Sequence, residues 1–193
     1  MSTTSQQKTK NLILTGMFTA IISVMSQITI PLQPIPFSLS FFAIFLTGML
    51  LKPKYAFFAT LAYILLGAFG LPVFAGLRGG LHVITGMTGG FIVAYPIMAL
   101  ITSTSYQLSK RVKITAFIKN ISRIALPTLG MIISLLISYF IGTLWFSYVS
   151  GSTIAYSLTV CVFPFIAFDL LKIALAISFS SILRKVIDRI LLN

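Results

Sequence analysis

Acidic side chains are almost missing from this sequence: Asp and Glu together number 2, against 14 Lys and Arg, in 193 residues. Histidine, cysteine and tryptophan occur once each. Such a chain cannot assemble a zinc-ligand set or a Ser/His/Asp arrangement with its supporting partners, so neither a metal site nor an enzyme is expected, and no resident cofactor is implied. Cys161 stands alone in an apolar stretch and supports no disulfide framework. No G-x-x-x-x-G-K-[ST] pattern is present, so the chain cannot energise work with ATP by itself. Charged residues of either sign make up 8%, where a soluble domain carries about a quarter. A soluble fold is thereby excluded.

What is abundant is apolar surface: 58% of residues are hydrophobic and the mean hydropathy is +1.04. With about 20 apolar residues per membrane-spanning helix, the length holds five to seven spans joined by short loops. Residues 1–10 are polar and basic and lead into an apolar run without a cleavage site of the A-x-A kind, which reads as a first helix. Asn11 to Leu51 carries no charge, is too long for one span, and is interrupted by Pro31, Pro34 and Pro36. These prolines predict a first span to about Ile30 and a second from about Phe37. A third runs from Tyr55 to about Leu71, a fourth from Phe91 to about Leu108, a fifth from about Ile124 to Phe146, and a sixth from about Leu158 to Leu183. Pro164 either opens a shorter sixth helix or kinks a longer one. The expected fold is an all-α membrane protein, a bundle of six transmembrane helices. A polar cytoplasmic N-terminus (1–10) precedes a single transmembrane domain (11–193).

The net charge of +12 raises the question of a polyanionic partner. The positions answer it. With the N-terminus inside, every Lys and Arg except Arg78 and Lys172 falls in a cytoplasmic segment of a six-span protein with both termini inside. Topology alone explains the basic character, and nucleic acid is not an expected partner; the lipid membrane is. Trp145 and Tyr148 fit an aromatic belt at the outer end of the fifth span.

Six of the 13 glycines lie between Gly76 and Gly90, in GLRGGLHVITGMTGG, too costly a composition for a regular helix at about 1 kcal/mol per glycine. Irregular backbone at membrane depth must line protein or a watery cavity. The segment therefore predicts an external loop between the third and fourth helices that covers a site, with Arg78 as the external cation; close helix packing is the competing use of its glycines. Asp188 has basic neighbours at the cytoplasmic end. Asp169 and Lys172 lie inside the last span, at a cost of about 3 kcal/mol each at a helix centre, and share one helix face at i, i+3. They either fix helix packing or offer one acceptor group and one donor group to a polar guest. A proton-linked Asp169 in an autonomous secondary transporter or channel is a further reading. Gly16 and Ala20 make a small-xxx-small step in the first span.

IPLQPIPFSLSFFAIFLTGMLL (30–51), YILLGAFGLPVFAGLRGGLHVITGMTGGF (63–91) and DLLK (169–172) together resemble the BioY family, the biotin-binding S components of energy-coupling factor (ECF) transporters. The resemblance implies a six-helix protein in the plasma (inner) membrane of a bacterium. It implies capture of biotin from outside and union with a transmembrane T component and two ABC ATPase subunits, which do the hydrolysis. It also implies that Asp169, Lys172 and Arg78 surround the ureido ring. Gly79, Gly80, Gly89, Gly90 and Phe91 of the two GG-bearing turns are its further substrate-binding candidates, and Gly16 and Ala20 its candidates for docking on the T component. Three departures stand out: the family's G-P-[TS]-G-G-Y reads Gly86, Met87, Thr88, Gly89, Gly90, Phe91; Lys52 stands where a glycine is common; and Ile92 replaces an arginine that in some relatives faces the biotin carboxylate, which leaves Arg78 as an alternative partner for that carboxylate.

Overall fold

The computed structural model describes residues 4–32, 35–111 and 116–192; within these, the side chains of Thr4, 116–121, Asp188 and 190–192 are not described. Pro34 and Lys113 lie outside the described residues, as do the side chains of Lys119 and Asp188. The chain is built from helices α1 (Thr4–Gln27), α2 (Ser40–Leu50), α3 (Pro53–Ala68), α4 (Leu81–Thr85), α5 (Gly89–Arg111), α6 (Ala116–Ser150), α7 (Ile154–Cys161) and α8 (Ile166–Leu192). A two-stranded hairpin, β1 (Thr29–Ile30) and β2 (Phe37–Ser38), completes it. Four helices contain stretches long and apolar enough to cross a membrane: Ser5–Gln27, Gly89–Arg111, Ser122–Ser150 and Ile166–Ile187. Two more, α2 and α3, are apolar but shorter.

The hydroxyl residues of α1 are satisfied locally. In α1, Thr15, Thr19, Ser23 and Ser26 each donate to the carbonyl four residues back, so their hydroxyls cost little away from water. Leu14, Phe18 and Ile22, spaced by four, are buried, while Leu12, Ile13, Met17 and Val24 are exposed. The same division recurs on α6 and α8, whose outer faces expose Leu136, Phe140, Leu171 and Phe179. An apolar exterior is what lipid solvates.

Helix α5 occupies the middle, packed against α6, α3 and α2. Close approach to α6 depends on Gly89 and Gly90: a Cβ at Gly90 would run into Trp145 and one at Gly89 into the Ile84 carbonyl. Helix α2 has ten of its eleven residues buried, and Ser103 of α5 donates to the Leu51 carbonyl at its end (2.6 Å). Pro53 at the first position of α3 follows at once, where its missing N–H costs nothing.

The boundaries differ from the sequence expectation in three places. The apolar run after Gln27 is a hairpin, because the prolines at 31 and 36 withhold donors that a helix needs, and Thr29 pairs with Ser38 and Ile30 with Phe37. The glycine segment contains a short helix, α4, after Gly80 at φ +100°. The last apolar stretch is two helices: Pro164 sits in the turn between α7 and α8, and the Thr153 hydroxyl caps α7 by accepting from Tyr156 N (3.3 Å).

The two ends of the bundle differ in character. At one end Lys8 and Lys54 line one crevice and Lys52 and Arg111 another, Arg184 lies over the Tyr106 ring and donates to the Met49 carbonyl, and Lys110 lies over the same ring. The opposite end carries the hairpin, the glycine segment and the α6–α7 and α7–α8 turns. Trp145 is half-buried there and donates to the Gly86 carbonyl (2.9 Å), whereas Tyr148 is exposed. The tryptophan thus secures the glycine segment instead of standing in a surface belt.

Replacing Gly90 with Val should separate α5 from α6. Overpacking of this kind costs about 1–3 kcal/mol, which for a chain of this size lowers the melting temperature by about 3–10 °C; thermal unfolding of the detergent-solubilised protein measures it.

Candidate functional site

Beneath the glycine segment lies a cavity of about 690 Å³, its open mouth included, walled by the hairpin, the starts of α2, α5 and α8, the middle of α3 and α6, and the turn from Phe74 to Arg78.

Its polar head is built by α8 and α6. Because α8 starts only at Ile166, Asp169 falls in the first helical turn, near the positive end of the helix dipole, and not deep inside a longer span. Asp169 and Lys172 are 2% and 4% exposed. Lys172 Nζ donates to Asp169 Oδ1 at 2.8 Å across the i, i+3 step. Tyr139 of α6 donates its hydroxyl to Asp169 Oδ2 at 2.6 Å. Each carboxylate oxygen therefore holds one donor and keeps a lone pair for a guest. The Lys172 ammonium also lies 4.1 Å from the Phe37 ring centroid and 5.5 Å from that of Phe41, two cation–π contacts that stabilise a desolvated charge. Phe37 is itself held by rings on α8 and the turn before it, stacked on Phe165 and edge-on to Phe168.

The side walls are aromatic. Tyr63 stacks on Tyr95 with centroids 6.1 Å apart, and Phe74 and Phe41 meet these rings edge-on. Phe91, Ile92 and Val83 close the wall on the α4–α5 side. A second polar group lies on the opposite flank: Ser26 of α1 accepts from both Ser40 and Tyr63 (3.0 Å each), and Ser38 and Ser40 share a hydrogen bond of 2.8 Å. Ser38, Ser40 and Tyr63 all reach the cavity.

The cover is strapped from α1. The Gln27 side-chain amide donates to the Val73 carbonyl (2.9 Å), and its oxygen accepts from Leu77 N (2.9 Å). This holds the turn in which Leu77 takes φ +56° and Phe74 and Arg78 form a bridge. Arg78 is exposed at the cavity mouth, its Nε donating to the Ala75 carbonyl (3.0 Å).

Of the residues expected at a site, Asp169, Lys172, Arg78 and Phe91 converge on this cavity. Gly79, Gly80, Gly89 and Gly90 do not line it. Gly80 supplies the left-handed turn before α4, a Cβ at Gly79 would meet the Leu71 carbonyl, and Gly89 and Gly90 let α5 pack. Gly16 and Ala20 lie far from it on the exposed face of α1, with nothing within 4 Å of a Cβ placed on Gly16. Tyr139, Phe37, Ser26, Ser40 and Gln27 were not singled out from sequence. Ser26 and Gln27, polar at the end of an uncharged span, carried the one visible signal; Tyr139 is one tyrosine among 7.

The fold and cavity define a class: a helical membrane protein with a cavity whose aromatic walls and buried Asp169–Lys172 head suit a ligand with an apolar body and a polar group. The BioY family profile matches residues 1–189, and the chain belongs to that family. It is 36% identical over 170 residues to a probable biotin transporter BioY of Pyrococcus horikoshii, covering 88% of this chain and 93% of that one. It is 35% identical over 175 residues to the biotin transporter BioY2 of Lactococcus lactis subsp. cremoris, covering 90% of each. In three dimensions it is similar to a crystal structure of the S component for biotin from an ECF-type ABC transporter, with TM-score 0.79 and 27% identity over 95% of both chains.

The buried pair generates a test independent of any ligand. Lys172→Met strands a buried carboxylate and should cost about 3–5 kcal/mol, whereas the double variant Asp169→Asn/Lys172→Met should recover a large part of that loss. Thermal unfolding of the three proteins in one detergent measures the coupling.

Proposed function

We propose that this chain is the substrate-capture (S) component of an ECF-type importer that takes biotin from the external side for ATP-driven uptake. The observation that carries the reading is the Asp169–Lys172–Tyr139 cluster at the head of an aromatic cavity, in a chain whose relatives are named biotin transporters. A ureido ring has two N–H donors and one carbonyl acceptor. Asp169 accepts from the ring nitrogens, Lys172 donates to the carbonyl, and both are charge-assisted bonds in a site from which water is excluded. Phe37, Phe41, Tyr63 and Tyr95 bury the bicyclic body. The valerate chain runs toward the mouth, where Arg78 meets the carboxylate in place of the arginine that Ile92 replaces.

In this reading the chain is a single transmembrane domain (11–193) behind a short polar N-terminus (1–10), with six spans in a plasma membrane. Helices α1, α2, α3, α5, α6 and α8 are those spans, and the short α2 is almost wholly enclosed by its neighbours. The Lys- and Arg-rich end, with both termini, is cytoplasmic; the glycine segment is external. The segregation of Lys8, Lys52, Lys54, Arg111 and Arg184 to the end opposite the cavity supports this orientation. The chain hydrolyses nothing itself: a T component and two ABC ATPase subunits provide the energy. Gly16 and Ala20 on the bare face of α1 dock on the T component, where small residues permit close helix contact. The family match favours this reading over an autonomous secondary transporter or channel with Asp169 as a proton-linked group.

Purified protein should bind biotin tightly, and Asp169→Asn or Lys172→Ala should weaken binding by about 10–100-fold, the value of a lost charge-assisted hydrogen bond of about 1.5–3 kcal/mol. Calorimetric titration measures it, and unchanged affinity in both variants refutes the site. Arg78→Gln should weaken biotin by a similar factor and leave biotin methyl ester nearly unaffected, because the ester offers no charge; equal losses for the two ligands remove Arg78 from the carboxylate.

A further inference from the structure

At the end of the bundle opposite the cavity, α1 and α3 together line a groove of about 890 Å³, its open side included. Two cations stand at its rim, Lys8 on the first turns of α1 and Lys54 at the second position of α3, both exposed. Its floor is apolar: Leu12 is 67% exposed and Phe58 44%, with Tyr55 beside them. Its two threonine hydroxyls are already committed, Thr15 to the Asn11 carbonyl and Thr9 to the Ser5 carbonyl. Among the described residues the one ion pair is Lys172–Asp169, so no described carboxylate neutralises either lysine.

We propose that this groove is a binding site for one anionic glycerophospholipid. The phosphodiester headgroup is held between Lys8 and Lys54, and an acyl chain lies along Leu12 and Phe58. Three features select this occupant. Two ammonium groups from different helices line the same groove, and each such cation favours an anionic surface lipid. The floor below them is hydrocarbon in character, which free phosphate cannot use. The groove opens on the outer faces of two apolar helices, where a lipid enters without displacing protein. Leu12 is also the first of the stripe Leu12, Gly16, Ala20, spaced by four on the bare face of α1, so a headgroup seated here flanks that stripe.

Native mass spectrometry of the full chain, released from micelles doped with equal phosphatidylglycerol and phosphatidylcholine, tests this. One phosphatidylglycerol adduct should predominate. Lys8→Gln/Lys54→Gln should reduce it about tenfold, after allowance for screening of the two charges, while Lys185→Gln/Arg189→Gln on α8, with the same change in net charge, leaves it within about twofold. Circular dichroism of all variants should report unchanged helix content, since the four side chains are exposed. Equal uptake of the two lipids, equal loss in the two double variants, or displacement of the adduct by millimolar inorganic phosphate would each overturn the proposal.

Discussion

A carboxylate and an ammonium held 2.8 Å apart, and almost fully removed from solvent, set the terms for the rest of this molecule. Neither charge is tolerable alone when buried from water, and the pair still loses hydration that its mutual attraction repays only with good geometry and further hydrogen bonds. Much of the surrounding architecture supplies those partners. The start of α8 in the turn after Pro164 brings Asp169 to a helix N-terminus, α6 contributes the Tyr139 hydroxyl, and the hairpin contributes the Phe37 ring over Lys172. What remains unsaturated is one lone pair on each carboxylate oxygen and the ammonium protons not spent on Asp169, which is the head of the cavity.

The two flanks of the cavity answer to different helices. The charged head belongs to α6 and α8, whereas the hydroxyl cluster and the cover belong to α1. Ser26 gathers Ser40 and Tyr63, and one residue later Gln27 clamps the Val73–Leu77 turn with both ends of its amide. A primary amide suits this role because it presents a donor and an acceptor side by side, matching a backbone carbonyl and a backbone N–H in a turn. The helix that supports the cavity wall through the hold of Ser26 on Ser40 and Tyr63 is the one whose face is left exposed at Gly16 and Ala20.

Hydropathy and charge placement made the membrane class legible, because apolar runs and the distribution of Lys and Arg are direct consequences of the bilayer as solvent. The D-x-x-K step was legible for the same reason: opposite charges one turn apart in an apolar span demand an explanation. The glycine pairs were harder. Their spacing suggested a binding loop, but Gly89 and Gly90 are there because Trp145 and α6 come too close for a side chain, a packing fact that only the assembled helices reveal. Tyr139 was invisible for a related reason. Its partner lies 30 residues away in the chain, and an aromatic in an apolar helix carries no mark of the hydrogen bond it will make. The hairpin was hidden because prolines announce a break without stating what fills it.

Helix α2 has eleven residues and so rises only about 16 Å, roughly half the thickness of the hydrocarbon layer. A helix this short would force the bilayer to pinch if it stood at the perimeter, but nearly all of it is enclosed by its neighbours, so the lipid never registers its length. The missing turns are the excavation: the room above Ser40 that a full-length helix would fill is where Phe37, Ser38 and the aromatic walls meet. Vacancy in this bundle is made where an enclosed helix stops short.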